Sequence, residues 1–256
     1  MLIDTHCHLD FPDFNSDREL IVKSAVSAGV VAIINVSSSL KAAQQAAMLA
    51  KKYPEVYATI GIHPHDAKEC SDEDWPVLKG LLNEKKVVAV GEVGLDFYRN
   101  LSEPKKQEDI FRKFIVLAIE AKLPLIIHSR LAQEKTLSIL KEFQVLSKSG
   151  VVIHCFSGDG DFLKECLGRG YFVSYTCNAT YKKADAIREA IRQTPIDRMF
   201  LETDAPFLSP EGKRGKRNEP ANLVELAHAV SAIKQIDFEK VCAETTKNAR
   251  QFFKLV

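Results

Sequence analysis

Short apolar runs rich in valine, isoleucine and phenylalanine alternate along this chain with longer stretches whose apolar residues recur every three or four positions. The first kind has the length and composition of a buried strand. The second has the period of a helix packed on one side. Eight strand-like runs stand out: LIDTH (2–6), VVAIINVS (30–37), VYATIGIH (56–63), VVAVGEVGL (87–95), LPLIIHS (123–129), GVVIHCFS (150–157), YFVSYTC (171–177) and RMFLETD (198–204). Helix-like stretches such as SDRELIVKSAVSAG (16–29), LKAAQQAAMLAKKY (40–53), PKKQEDIFRKFIVLAIEAK (104–122) and ADAIREAIRQT (184–194) lie between them, and two more, at 222–235 and 237–255, close the chain. Tyr53-Pro54 is a reasonable stop for the second of these. Eight strands alternating with helices predict a (β/α)8 barrel formed as a single domain over residues 1–256. An open doubly wound sheet is the rival, but its G-x-G-x-x-G turn after the first strand is absent, and the first strand here runs into His6-Cys7-His8.

Composition narrows the class without changing the fold. Hydrophobic residues make up 46% and charged residues 27%, an ordinary globular balance. No run approaches the ~20 apolar residues of a membrane span, and the first residues lack the basic and apolar regions of a secretory signal. The six cysteines form no C-x-x-C pair, so neither a zinc ribbon nor a disulfide framework is indicated. Scattered thiols fit a reducing cytoplasm. A net charge of +1 does not call for a long basic face, so any contact with nucleic acid is expected to be local. No obligate protein partner is evident.

The histidines change the picture. Six of seven, at 6, 8, 63, 65, 128 and 154, lie at or just past the carboxyl ends of strand-like runs, and only His228 falls in a helix-like stretch. A barrel gathers those ends on one face, where active sites form. His6 and His8, two apart on an extended segment, project to one side, while Cys7 points away as packing. That pair alone fits a metal site and a satisfied polar pair equally. His63 and His65 repeat the spacing around Pro64, with a substrate or supporting role favoured over ligation and an exposed loop histidine as the alternative for His65. Glu92 interrupts an apolar run, where a carboxylate needs a partner or a metal. Gly91 and Gly94 leave room beside it for a ligand or a close backbone. Asp96 follows as a possible cap of the next turn. His128 and Arg130 end one run, His154 another, and Glu202 and Asp204 the last. Four histidines, Glu92 and Asp204 from five strands exceed what one catalytic zinc requires, and a two-metal centre explains the surplus. Zn²⁺, Mn²⁺ and Mg²⁺ all suit such donors.

DTHCHLD (4–10), GIHPH (61–65), GEVGLDF (91–97), HSR (128–130), HCFSG (154–158), ETDAP (202–206) and RGKRNEP (214–220) together resemble the signature blocks of the TatD-type metal-dependent deoxyribonucleases, a branch of the amidohydrolase superfamily. The blocks keep that family's order over nearly the whole chain. The resemblance implies a distorted (β/α)8 TIM barrel of the metallo-dependent hydrolase type. It implies one divalent metal held by His6, His8, Glu92 and Asp204 and a second by Glu92, His128 and His154, with Glu92 as the bridge. Many relatives bridge with a carbamylated lysine, and no lysine occurs in residues 87–95.

The reaction then expected is phosphodiester hydrolysis by metal-activated water, with Glu92 and Asp204 as catalytic carboxylates and Asp204 taking up the water's proton. His63, His65 and Arg130 are candidate phosphate contacts. The loop at 212–220 crowds Lys213, Arg214, Lys216 and Arg217 together ahead of Pro220. A solvated basic loop is the plain reading. A phosphate clamp centred on Arg217 and Asn218 is preferred, because the loop follows the Asp204 strand and precedes a helix start. A small clamp suits DNA ends or a short nucleic-acid chain, in keeping with the 3′→5′ exonuclease activity of the family. Hydrolysis of another ester or amide, such as deacylation of D-aminoacyl-tRNA, would use the same metals and is the alternative. A non-enzymatic binding protein is a third reading, against which the complete ligand set argues. Trp75, in an acidic helix-like stretch, is expected to pack, and Tyr98 is a candidate for stacking on a base. Cys155, Cys166 and Cys177 are expected to be buried packing.

Overall fold

The computed structural model describes residues 1–143 and 150–255. Eight strands, β1 (Leu2–Cys7), β2 (Val30–Asn35), β3 (Val56–Ile60), β4 (Val87–Asp96), β5 (Leu125–Arg130), β6 (Val151–Ile153), β7 (Phe172–Tyr175) and β8 (Met199–Leu201), pair in parallel in that order. Parallel neighbours need a crossover. The crossovers carry α1 (Arg18–Ser27), α2 (Leu40–Lys52), α3 (Asp74–Leu81), α4 (Pro104–Ala121), α5 (Gln133–Glu142), α6 (Gly160–Gly168) and α7 (Asp185–Gln193). After β8 come α8 (Leu223–Lys234) and α9 (Phe238–Phe253). The expected eight strands are all present, and the architecture is a distorted (β/α)8 barrel.

Local chemistry sets the helix ends and faces. Pro104 opens α4, and the Ser39 and Asp159 side chains cap α2 and α6 by accepting from Ala42 and Phe162 N–H. Five alanines of α2 (42, 43, 46, 47 and 50) form its buried stripe, thin enough for close approach to β3. One apolar residue from each of six strands, Ile3, Ile34, Val88, Ile126, Val152 and Phe200, joins a single cluster with Phe253 of α9. Six strands around a ring can share a cluster only on the barrel's inside, so this is the filled interior.

The ring closes between β1 and β8 without a continuous ladder. Cys7 pairs with Ala205 as an isolated bridge, Asp204 N–H donates to the His6 carbonyl at 2.9 Å, and His8 N–H donates to the Ala205 carbonyl at 2.8 Å. Below them Asp4 accepts from Thr203 N–H at 2.9 Å and from its hydroxyl at 2.5 Å. Burial pushes the Asp4 carboxyl up to about 7 in spite of these bonds.

Five strands stop short of their sequence-based limits, β2 at Asn35, β3 at Ile60 and β7 at Tyr175 among them. β6 ends at Ile153 rather than Ser157, and β8 at Leu201 rather than Asp204. Cys155 (φ 44°) and Asp204 (φ 55°) adopt the left-handed conformation, which breaks extension as the chain turns over the mouth.

Candidate metal centre

The carboxyl ends of β1, β4, β5, β6 and β8 bring His6, His8, Glu92, His128, His154 and Asp204 together. They meet at a cavity of about 680 Å³ at the barrel mouth. Gly94 permits part of this. A Cβ there would lie 2.0 Å from the His128 carbonyl oxygen, so only glycine lets β4 press this closely on β5. Glu92 sits at the centre. One carboxylate oxygen, Oε2, is 3.4 Å from His6 Nε2, while Oε1 is 2.8 Å from His128 Nδ1 and 3.4 Å from His154 Nε2. His6 and His8 face each other with Nε2 atoms 3.2 Å apart, and Asp204 Oδ1 lies 3.4 Å from His8 Nε2.

Three of the four imidazoles are oriented from behind. His8 Nδ1 donates to the Val36 carbonyl at 2.8 Å, His154 Nδ1 to Glu202 Oε1 at 2.8 Å, and His128 Nε2 to Asp96 Oδ2 at 3.0 Å. A neutral ring that donates from one nitrogen offers a lone pair at the other. His8 Nε2, His154 Nε2 and His128 Nδ1 therefore turn lone pairs toward the carboxylates, an arrangement that repels itself unless a cation lies between. Atoms bound at ~2.1 Å to one ion stand ~3.0–3.4 Å apart for angles from square to tetrahedral, which matches most of these separations. Glu202 and Asp96 thus supply the carboxylate–histidine support typical of metal sites. His6 differs: its ring stacks on that of His154 at 3.6 Å, and its buried Nδ1 has no hydrogen-bond partner among the described residues.

His63 is held the other way round. Its Nδ1 accepts from His65 N–H at 3.1 Å, so the proton sits on Nε2, which faces the centre 3.6 Å from Glu92 Oε1. Where three neighbours present lone pairs, His63 presents a donor. His65 Nε2 donates to Asp96 Oδ2 at 2.9 Å, so Asp96 clamps two histidines while its Oδ1 caps the turn at Arg99 N–H.

Charge is arranged to match. Burial disfavours ionised Glu92, yet His154, His63 and His6 around it hold its pKa well below the usual carboxylate range. Burial likewise opposes charge on His154 and His8, but Glu202 and Glu92 lift the first to about 10, and Asp204 lifts the second to about 9. Burial lowers His63 well below the ordinary histidine value, consistent with a neutral donor. Protons hold the places that a cation would otherwise take.

The sequence model of the family described as "TatD related DNase" matches residues 3–254. The chain belongs to this family. It is 37% identical over the full length of both chains to the uncharacterized metal-dependent hydrolase YabD of Bacillus subtilis. It is 36% identical to the 3′-5′ ssDNA/RNA exonuclease TatD of Erwinia tasmaniensis, over 99% of this chain and 100% of that one. Its fold superposes on the TatD homologue YjjV of Escherichia coli K12 with a TM-score of 0.94 at 30% identity, covering 100% of this chain and 98% of the other. The protein is a metal-dependent hydrolase of the TatD family, and no helix among its described residues is long and apolar enough to cross a membrane.

Around this TatD-family centre, several residues differ from their sequence-based roles. Asn218 is fully buried, its amide donating to the Thr203 carbonyl at 2.9 Å and its oxygen accepting from Glu219 N–H and Asn222. It fastens the loop behind Asp204 and has no free group for a phosphate. Arg217 forms a two-pronged pair with Asp17 at 2.6 and 2.9 Å and lies over the Phe14 ring, so its charge is already matched. Cys155 is only half-buried and lines the cavity, correcting its expected packing role, whereas Cys7, Cys166 and Cys177 are buried as expected. Trp75 packs on Phe114 at 4.9 Å. Tyr98 is exposed at the rim under the Arg130 guanidinium, 4.1 Å from the ring centre. Glu202 and Asp96 were visible as strand-end carboxylates, but only geometry shows which histidine each one holds.

Proposed function

We propose that this protein is a two-metal phosphodiesterase that removes nucleotides from the 3′ end of single-stranded nucleic acid. The observation that carries this reading is the position of Glu92, one carboxylate oxygen toward the His6–His8 side and the other toward the His128–His154 side. A relative of similar length named as a 3′-5′ ssDNA/RNA exonuclease supports the choice of substrate. Divalent cations held there, Zn²⁺, Mn²⁺ or Mg²⁺, would neutralise phosphate charge and make water a nucleophile near neutral pH. His6, His8, Glu92 and Asp204 would hold one, and Glu92, His128 and His154 the other.

The chain's own residues account for the remaining chemistry. Asp204 stays ionised because His8, His154 and His6 offset its burial, so it is ready to orient a water and accept its proton. His63 directs its Nε2 proton into the cavity, the polarity a non-bridging phosphate oxygen requires. Its neutrality lets it donate without competing for the cations. His65 holds Asp96 and thereby His128, placing it behind the reacting atoms. Arg130 adds fixed positive charge at the rim, its guanidinium 4.1 Å from the centre of the Tyr98 ring.

The test is metal-loaded protein on single-stranded DNA labelled at the 5′ end, with chelator and with Glu92→Gln as controls. Shortening from the 3′ end that is lost in both controls supports the proposal. Cleavage that persists in Glu92→Gln, or inert DNA alongside hydrolysis of the ester in D-aminoacyl-tRNA, refutes it.

A further inference from the structure

The loop at 212–220 holds four cations, and the structure sorts them into two pairs. Lys213 is used internally, bonded to Asn222 Oδ1 and paired with Glu225 at 2.8 Å. Arg217 is used by Asp17. Arg214 is exposed, with Glu211 no closer than 3.7 Å, and its guanidinium lies 4.6 Å from the centre of the Tyr181 ring. The Lys216 ammonium has no ion-pair partner among the described residues. Arg214 and Lys216, on either side of Gly215 with its φ of 80°, line a cleft of about 410 Å³ together with Tyr181 and Phe207. That volume lies within the ~300–1,000 Å³ of small-ligand sites.

This cleft adjoins the metal centre. Phe207 and Leu208 line both cavities, and Phe207 is half-exposed with its ring 6.3 Å from that of His8. The cleft is also rigidly built. Ser209 donates to the Lys213 carbonyl, Glu211 N–H donates to the Thr180 hydroxyl, and Asn218 anchors the far end. Lys213, Arg217 and Asn218 therefore pin the loop; Arg217 also lines the cleft, together with Asp13, and Arg214 and Lys216 face it with no ion pair shorter than 3.7 Å among the described residues. Aromatic faces interleaved with exposed cations are the chemistry of single-strand binding, in which bases stack and phosphates are neutralised without reading sequence.

We propose that this cleft is a nucleotide subsite next to the scissile position. The penultimate base would lie across Phe207 and Tyr181, and its phosphate would bind Arg214 and Lys216. The proposal rests on the exonuclease reading above and goes beyond it by naming where the uncleaved chain is held. It also explains how a protein of net charge +1 grips a polyanion, since the positive charge is concentrated beside the reacting phosphate.

Kinetics against substrate length test it. With wild-type protein, KM is expected to fall as oligothymidylate lengthens from about two to about eight nucleotides. In the double variant Arg214→Gln/Lys216→Gln, and separately in Tyr181→Leu, the KM for the longer chain should rise about 5- to 150-fold, the span of one lost stacking or ionic contact. kcat should change little, so the length dependence flattens. Retention of the wild-type length dependence, or a loss confined to kcat, overturns the subsite. If the wild type cleaves no oligonucleotide, the exonuclease reading fails, and binding of a fluorescent oligothymidylate followed by anisotropy decides the cleft alone. Binding weakened by the substitutions supports it. Undetectable binding, or binding equal in the variants, overturns it.

Discussion

Glu202→Gln isolates the support behind the metal centre. The Glu202 Oε1 accepts two hydrogen bonds of 2.8 Å, from His154 Nδ1 and from Cys155 N–H, and its side chain is almost fully buried. Glutamine keeps the length and one acceptor oxygen but removes the charge. A hydrogen bond to a charged group contributes roughly 1.5–3 kcal/mol net, against about 0.5–1.5 kcal/mol for a neutral pair. The hold on the His154 ring should weaken by about 1–1.5 kcal/mol, close to tenfold in an equilibrium constant. That agrees with the ~10–100-fold loss seen when the support of a metal-binding histidine is altered. The assay is competition of metal-free protein with a chromophoric chelator for Mn²⁺, which resolves the two binding steps, with thermal melting as a check on the fold. One step, on the His128–His154 side, should weaken about tenfold or more, and the other should change far less. Two unchanged affinities would refute the argument. So would equal loss of both with a collapsed melting temperature, because Glu202 would then be holding the barrel together rather than orienting a ligand.

Replacing His6 and His8 together by alanine should remove one equivalent of bound metal and leave the half-site around His128 and His154 able to hold the other, as read by elemental analysis of the purified protein. Gly94→Ala should cost several kcal/mol or prevent folding, since its Cβ would meet the His128 carbonyl oxygen at 2.0 Å in a left-handed backbone; a melting temperature near wild type would disprove the close approach of β4 and β5. Metal affinity should rise with pH, because in the metal-free centre His8 (about 9) and His154 (about 10) hold protons that a cation must displace. Calorimetric titration at about pH 6.5 and about pH 8 should show tighter binding at the higher pH, with buffer-dependent proton release. Asn218→Ala should destabilise the fold by about 1–3 kcal/mol in urea unfolding, by leaving the Thr203 carbonyl unpaired; an unchanged midpoint would return Asn218 to the phosphate-clamp role first expected of it.

The barrel and its candidate metal ligands were legible because both write themselves locally. A strand's apolar run ends where its polar residue begins, so His6, Glu92, His128, His154 and Asp204 marked the mouth without any knowledge of their neighbours. Pairing is not local, and the surroundings of Arg217 and Asn218 were hidden for that reason. Asp17 neutralises Arg217 across 200 positions, and Thr203 binds Asp4 across 199. From the chain alone, Lys213, Arg214, Lys216 and Arg217 form one basic run, and nothing in their order says that the first and last are spent on the fold. Arg217 drew attention by lying next to Asn218 and the coming helix, yet that same position puts it within reach of Asp17. The charge that remains free follows from subtraction, by pairing each cation with its acid and seeing which are left. Here those are Lys216, with no ion pair among the described residues, and Arg214, whose pair with Glu211 is stretched to 3.7 Å, beside an aromatic ring and at the lip of the metal cavity. In a near-neutral protein the placement of unpaired charge, rather than its total, decides where a polyanion is gripped.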